Sequence, residues 1–235
     1  DNLIDGVSGA GHDGINLSAG NQKIIGNTIK NVNNGVGINV GAQSNNEIRD
    51  NTIDPVAEDG ILVNGGDNNK IIGNTIEAAA RSAANISGSQ FAGIRVVNEV
   101  NNVVISGNTI RDAGSSTYAV GIDVDKGAYD ITNCEITDNI VEGFTTVTGA
   151  STTVAIGIRV NTGMNCEVSG NTVRNSGNLR IGIQVLTPHE MPVKDNTVEG
   201  MQEYGLDLQG GNATSKLHVE GNVLTCLLYT SDAAD

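Results

Sequence analysis

Along this chain the hydrophobic positions recur in two short frames that alternate with polar residues, and neither follows a helical period. In the first frame a Gly or Asp is followed by Asn, then by Thr or another β-branched residue, then by an aliphatic. Gly26-Asn27-Thr28-Ile29 is one such tetrad, and the others centre on Asn51, Asn74, Asn108, Asn139, Asn171, Asn196 and Asn222. Three residues before each Asn stands a β-branched aliphatic, from Ile24, Ile48 and Ile71 through Ile105 and Ile136 to Val168, Val193 and Val219. Gly accepts positive φ without strain, and Asp and Asn are the next most tolerant residues. Each tetrad therefore predicts a tight corner between two short strands. The second frame is Gly, aliphatic, any residue, aliphatic. It first occurs as Gly14-Ile15-Asn16-Leu17 and starts again at Gly37, Gly60, Gly93, Gly121, Gly157, Gly182 and Gly205. Such alternation turns the two aliphatics to one face and the middle residue to the other.

The shortest spacing between successive Gly starts is 23 residues. A unit of that length, with three short strand-like pieces, cannot bury an apolar face alone and must stack on its neighbours. Stacked in parallel, like positions lie about 4.8 Å apart, close enough for the Asn side chains to hydrogen-bond as a ladder. The repeat resembles that of right-handed parallel β-helix proteins, the superfamily of pectate lyases, polygalacturonases, alginate epimerases, phage tailspikes and many bacterial surface proteins. The resemblance covers roughly residues 12–224. It implies an all-β fold: a right-handed single-stranded parallel β-helix of about eight rungs, three short strands to a rung. It also implies an extracellular or cell-surface setting. It does not choose an activity, because one fold hosts many functions.

Composition agrees with a narrow aliphatic core. Trp is absent and Phe occurs only twice. One continuous repeat points to a single domain over residues 1–225. Leu3, Ile4 and Val7 read as the tail of an earlier rung, so the chain is expected to begin inside a longer protein. The last ten residues, 226–235 (CLLYTSDAAD), break the repeat and resemble the translation of a sequencing adapter at the end of a metagenomic fragment; they are set aside from the fold. As a fragment, the piece is expected to expose open sheet edges at both ends. The formal charge is −14. No basic stripe is present to displace phosphate counterions, which argues against a nucleic-acid partner. The charge also disfavours anionic membranes, and it weakens a polyanionic sugar as ligand unless calcium bridges the two. No apolar run reaches membrane-spanning length. Cys134 and Cys166 each stand five residues before a tetrad Asn, so they are expected to stack inward on adjacent rungs. They would sit there either as two buried thiols or as a disulfide.

The connections between rungs are short except at residues 77–92, 111–120 and 142–156, which leave the same corner of three successive rungs and are expected to project side by side. Residues 77–84 have the composition of one or two helical turns. Phe91, Tyr118 and Phe144 fall in these insertions, either as faces for a sugar or as packing for the loops themselves. Beside them the outward column of the second frame reads Arg95, Asp123, Arg159. In the resembled lyases such a face carries an Arg base and acidic calcium ligands, so this column is a candidate substrate-binding site; the alternative is a surface ion-pair ladder of little energetic weight. Asp125 and Lys126 are close by in sequence, but the acids do not cluster into a six-oxygen calcium cage. Thr187-Pro188-His189-Glu190 is similar to the Asp-Pro-His-acid motif of alginate epimerases at Pro188, His189 and Glu190. Thr187 replaces its Asp, so a surface turn is the competing reading of His189. His12 and His218 join no constellation. Two functions stay open: a domain that binds or modifies a polysaccharide on its loop-flanked face, and a non-catalytic stalk or adhesin whose eight rungs span roughly 38 Å.

Overall fold

In the computed structural model the described residues are 1–80, 91–114, 118–125, 131–144, 154–161, 163–175, 179–187, 189–210 and 217–225, with Tyr118 and Val154 described by their backbone alone. Three long sheets run the length of these residues. Sheet I gathers the Gly-start strands from Ile15–Asn16 to Tyr204–Gln209, eight in all. Sheet II holds the eight strands that lead into the tetrads, from Lys23–Ile25 to Leu217–Glu220. Sheet III holds the nine that leave them, from Leu3–Asp5 to Val223–Thr225. Each strand pairs in parallel with its counterpart one rung away, with Ile71 against Ile105 and Ile76 against Ile110. A short corner sheet of Val100–Asn101, Ile131–Thr132 and Gly163–Met164 joins sheets I and II over three rungs. No helix occurs among the described residues, so none is long and apolar enough to cross a membrane.

The corner expected at each tetrad is present. Gly26, Asp50, Gly73, Gly107, Asp138, Gly170, Asp195 and Gly221 all have φ between 55° and 69°. Turning there drives the following Asn inward, where Asn74, Asn108, Asn139, Asn171 and Asn196 are fully buried. The ladder satisfies them. The backbone N–H and the Nδ2 of Asn74 both donate to Oδ1 of Asn108, at 2.9 and 3.0 Å, and the same double bond repeats at each step up to Asn222. The remaining Nδ2 proton goes to backbone carbonyls, as from Asn108 to Ile71. The ladder also reaches one position lower than the eight tetrads, since Asn2 donates twice to Asn27. Asp1-Asn2-Leu3-Ile4 is a ninth tetrad with Leu in place of Thr.

Inside the coil the aliphatics form columns. Ile29, Ile53, Ile76, Ile110, Val141, Val173 and Val198 are at most 1% exposed, and Ile48, Ile71, Ile105, Ile136, Val168 and Val193 are fully buried. The Gly that opens each sheet I strand is required by this packing. A Cβ on Gly14, Gly37, Gly60, Gly93, Gly121, Gly157 or Gly182 would lie 2.5–2.7 Å from the carbonyl oxygen of the next such Gly. It would also lie 2.3–2.8 Å from a γ-carbon of the neighbouring core Ile or Val. Cys134 and Cys166 are buried and free, and the Cys134 N–H donates to Cys166 Sγ at 3.4 Å. Three rungs below, at the same position, the Asn46 N–H donates to Asn69 Oδ1. Contact with Cys166 and burial hold the Cys134 thiol well above its ordinary pKa range.

Two expectations change. The helical turns expected over 77–84 are absent from the described part: Glu77 ends a strand, and Ala78 and Ala80 have φ of 54° and 59°, which no right-handed helix accepts. Residues 81–84 lie outside the described residues. The insertion placed at 111–120 is shorter than expected, because Tyr118 already belongs to the strand Tyr118–Asp125. The other insertions do leave sheet III after Glu77 and Glu142 and re-enter sheet I near Ala92 and Val154, at one shared corner. Residues 81–90, 115–117, 145–153 and 226–235 are outside the described residues, Lys126 and Pro188 likewise.

Candidate functional site

On the outer face of sheet I the strand pairing sets Arg95 against Asp123 and Asp123 against Arg159 on successive rungs. Alternation puts these side chains outward while Ile94, Ile122 and Ile158 point into the core. The column is nevertheless not a solvated ladder. Asp123 is fully buried and Arg159 is 8% exposed. Arg159 grips Asp123 with both arms of its guanidinium, Nε to Oδ1 at 2.8 Å and Nη2 to Oδ2 at 2.9 Å. Its Nη2 also reaches Asp125 at 3.3 Å, and the other oxygen of Asp125 accepts from Asn161. The weak surface pair expected from sequence is thus a buried, bidentate one. Removing one partner of such a pair strands a buried charge and costs about 3–5 kcal/mol. The polar column continues through Gln184, whose amide donates to Asp207 at 2.7 Å.

Arg95 differs from Arg159. Its Nε is buried without a hydrogen-bond partner, and among the described residues no carboxylate lies within ion-pair distance of it. Beside it is a residue the sequence reading did not single out, Asp59. This side chain is 1% exposed and accepts a hydrogen bond from the Ala92 N–H at 2.6 Å. Burial pushes its carboxyl up to about 8, against the pull of Arg95 and the Ala92 N–H and with some help from the charges of Asp123 and Glu58. The signal was present in the spacing. Asp59 is the residue before Gly60, and its counterparts Ala92, Val120, Ile156 and Ile181 form a small apolar cluster of their own, separate from the core. At the height of Asp59 an acid in that column has little water around it. Glu58 is also raised, first by partial burial and then by the charge of Asp13.

The other sequence-derived candidates scatter. Phe91 is half-buried next to Ala92, within the same neighbourhood as Asp59. Tyr118 begins its strand, and only its backbone is described. Phe144 does not face a ligand: it is fully buried in the core cluster, and a Cβ on Gly121 would lie 3.4 Å from its ring. Its spacing explains why. It stands three residues after Val141, where other rungs put Val32, Val56, Ala79, Ala113 and Met201, all buried. His189 is half-buried and pairs with Met164 at the corner between sheets I and II, so it does not join the Arg95–Asp123–Arg159 column. Thr187 and Glu190 on either side of it have left-handed φ, the geometry of a turn. Among the described residues no group of three or more His, Cys, Asp or Glu side chains is placed to hold a metal ion. At the same corner, lower in the stack, a concavity of about 760 Å³ is lined by amides, Asp67, Glu99 and glycines.

Parallel sheets, in-register rungs and a buried amide ladder define this molecule as a right-handed parallel β-helix with a polar, partly charged outer column on one sheet. The chain belongs to the right handed beta helix region family, whose model matches residues 2–156. No curated protein matches it. Among solved structures it is similar to PfbA, a surface adhesin of Streptococcus pneumoniae, with 13% identity and a TM-score of 0.51, covering 86% of this chain and 62% of that one. It is also similar to pectate lyase Pel9A, with 14% identity and a TM-score of 0.46, covering 86% of this chain and 54% of the lyase. The chain therefore spans less than two thirds of the adhesin and about half of the lyase. At such identities the likeness is one of fold.

Proposed function

We propose that this chain is an extracellular or cell-surface β-helix domain that binds a polysaccharide on the outer face of sheet I, beside the corner from which the long insertions leave. The observation that carries this reading is Arg95. Its guanidinium is half-buried and, among the described residues, has no carboxylate partner, so its charge is left uncompensated on a preformed surface whose other side chains have largely made their hydrogen bonds. Asp123 and Arg159 then serve as a rigid floor that holds the charge pattern, and Phe91 supplies an apolar edge. The strand that Tyr118 begins borders this face, whereas His189 lies at the far corner of sheet I. A second reading, a non-catalytic stalk or adhesin, draws on the exposed Asn column at the opposite corner, where Asn68, Asn102 and Asn133 each bond the Asn one rung below. The adhesin among its structural neighbours fits that reading.

The test is a panel of uronate-bearing and neutral polysaccharides, titrated into the chain with and without calcium. Arg95→Ala and Phe91→Ala are each expected to weaken binding about tenfold, the scale of one lost charged or aromatic contact. Binding that neither substitution changes, or no binding across the panel, moves the assignment to the stalk.

A further inference from the structure

The repeat contains its own comparison for Asp59 and Arg95. Two rungs earlier, Asp13 occupies the position of Asp59, Asn16 that of Leu62, and Asn39 that of Arg95. There the carboxylate is fully engaged. Oδ1 of Asp13 accepts from the Val36 N–H at 3.0 Å, just as Asp59 accepts from Ala92. Its Oδ2 accepts from Asn16 and, at 2.9 Å, from Asn39 on the next rung. At Asp59 the first of these side-chain donors is replaced by Leu62, which donates nothing. The second is replaced by Arg95, which stands in place but makes no such bond. Position for position, then, Arg95 lies where a side chain can reach the carboxyl one rung below, and it is turned to no partner. The charged groups around the pair are Glu58 beside Asp59 in the chain, Asp13 facing Glu58, and Asp123 on the next strand, itself held by Arg159.

We propose that Asp59 is a proton-operated gate on Arg95. With its carboxyl protonated, Arg95 is left to hold an anionic substituent of the ligand, a carboxylate or a sulfate ester on a sugar. With the carboxyl ionised, Asp59 takes Arg95 as its own partner, as Asp13 takes Asn39, and the ligand is released. This rests on the outer face of sheet I being the ligand face. It resolves how a chain of charge −14 presents a site for an anion: the nearest acid is silent when the site is loaded. The carboxyl pKa of about 8 puts the change just above neutral pH.

The experiment uses three oligosaccharides on a matched backbone, one bearing carboxylates, one bearing sulfate esters and one neutral, titrated calorimetrically into the whole chain from pH 6.5 to 9.5. At each pH a cooperative melt confirms folding. The wild type is expected to bind one or both anionic probes and to lose about tenfold or more in affinity across this range, since the competent protonated fraction falls by that order. Asp59→Asn, which mimics the protonated acid, should keep its affinity throughout. Arg95→Gln should bind the anionic probes weakly and without pH dependence, and Glu58→Gln should retain the wild-type loss. Which anionic probe binds identifies the substituent. By linkage, a bound anionic probe must also raise the apparent pKa of Asp59 read from its carboxyl ¹³C shift, a measurement that needs no variant. Equal binding of all three probes overturns the gate while leaving the ligand face intact; binding of none overturns both. A pH loss that persists in Asp59→Asn, or an Asp59 resonance that the probe does not move, also overturns the gate.

Discussion

Asp59 shows what a single residue can do when a repeat places it where its counterparts are apolar. Its carboxyl binds a proton more tightly in the folded chain than in the unfolded one, because burial disfavours the charge. Between the ordinary value of 3.8 and about 8, the folded protein keeps a proton that the unfolded chain has released. Stability therefore falls as pH rises through that window and levels off above it. Asn carries no proton to lose, so Asp59→Asn should flatten this part of the profile and be the more stable protein at pH 9. Urea midpoints measured from pH 5 to pH 9 decide it; parallel profiles for the two proteins would mean that Asp59 is ionised throughout. Phe144 makes the opposite point. An aromatic residue near an insertion was legible as a sugar platform, yet its offset of three from Val141 places it in a corner column of the core. Truncating it would empty core volume before it touched any ligand.

At the scale of the strands and corners, each rung is held by repeated positions of different kinds. The tetrad Asn is buried and bonds the next rung twice. A second, exposed column takes left-handed φ at Asn21, Asn45, Asn68, Asn102, Asn133 and Asn165, each three residues before the sheet II aliphatic. That regularity is readable in the sequence, where these Asn residues precede each aliphatic by as many positions as the tetrad Asn follows it. The third position is the Gly that opens each sheet I strand. Periodicity marked it only as a start signal, whereas the packing shows that no side chain fits there. Gly121→Ala should therefore cost about 1–3 kcal/mol through overpacking against Val141 and the Gly157 carbonyl. Thr109→Ser, on the outer side of sheet III, should stay within about 0.5 kcal/mol. Chemical denaturation of the two variants tests the contrast, and an undisturbed Gly121→Ala protein would refute the steric account.

For the whole molecule the stacking is the source of stability, since every rung buries its apolar face only against its neighbours. Ile105 sits mid-stack, fully buried, paired with Ile71 below and Ile136 above. Ile105→Asp places a carboxylate in the middle of that column with no partner and is expected to prevent folding. A soluble variant with a cooperative melt and the wild-type circular dichroism would contradict it. The coil itself was legible almost completely: the parallel pairing, the register of the columns and the ladder all follow from fixed offsets around each Asn. The site was legible only as a column of outward positions. The offsets aligned Arg95, Asp123 and Arg159 on successive rungs, but did not show that Asp123 and Arg159 are buried and locked together or that Asp59 is close to Arg95.

The division follows from what a period can encode. A repeat read along one dimension states which residues stand above one another, because translation by one rung maps each position onto the next, and this settled the sheets, the core and the amide ladder. It carries no information on how far a side chain on the outer face is removed from water, or on which of two equivalent arginines finds a carboxylate. Those depend on contacts across columns. Only the tertiary structure decided that Arg159 is engaged, that Arg95 has an unpartnered Nε, and that the acid beside it is buried deeply enough to push its carboxyl up to about 8.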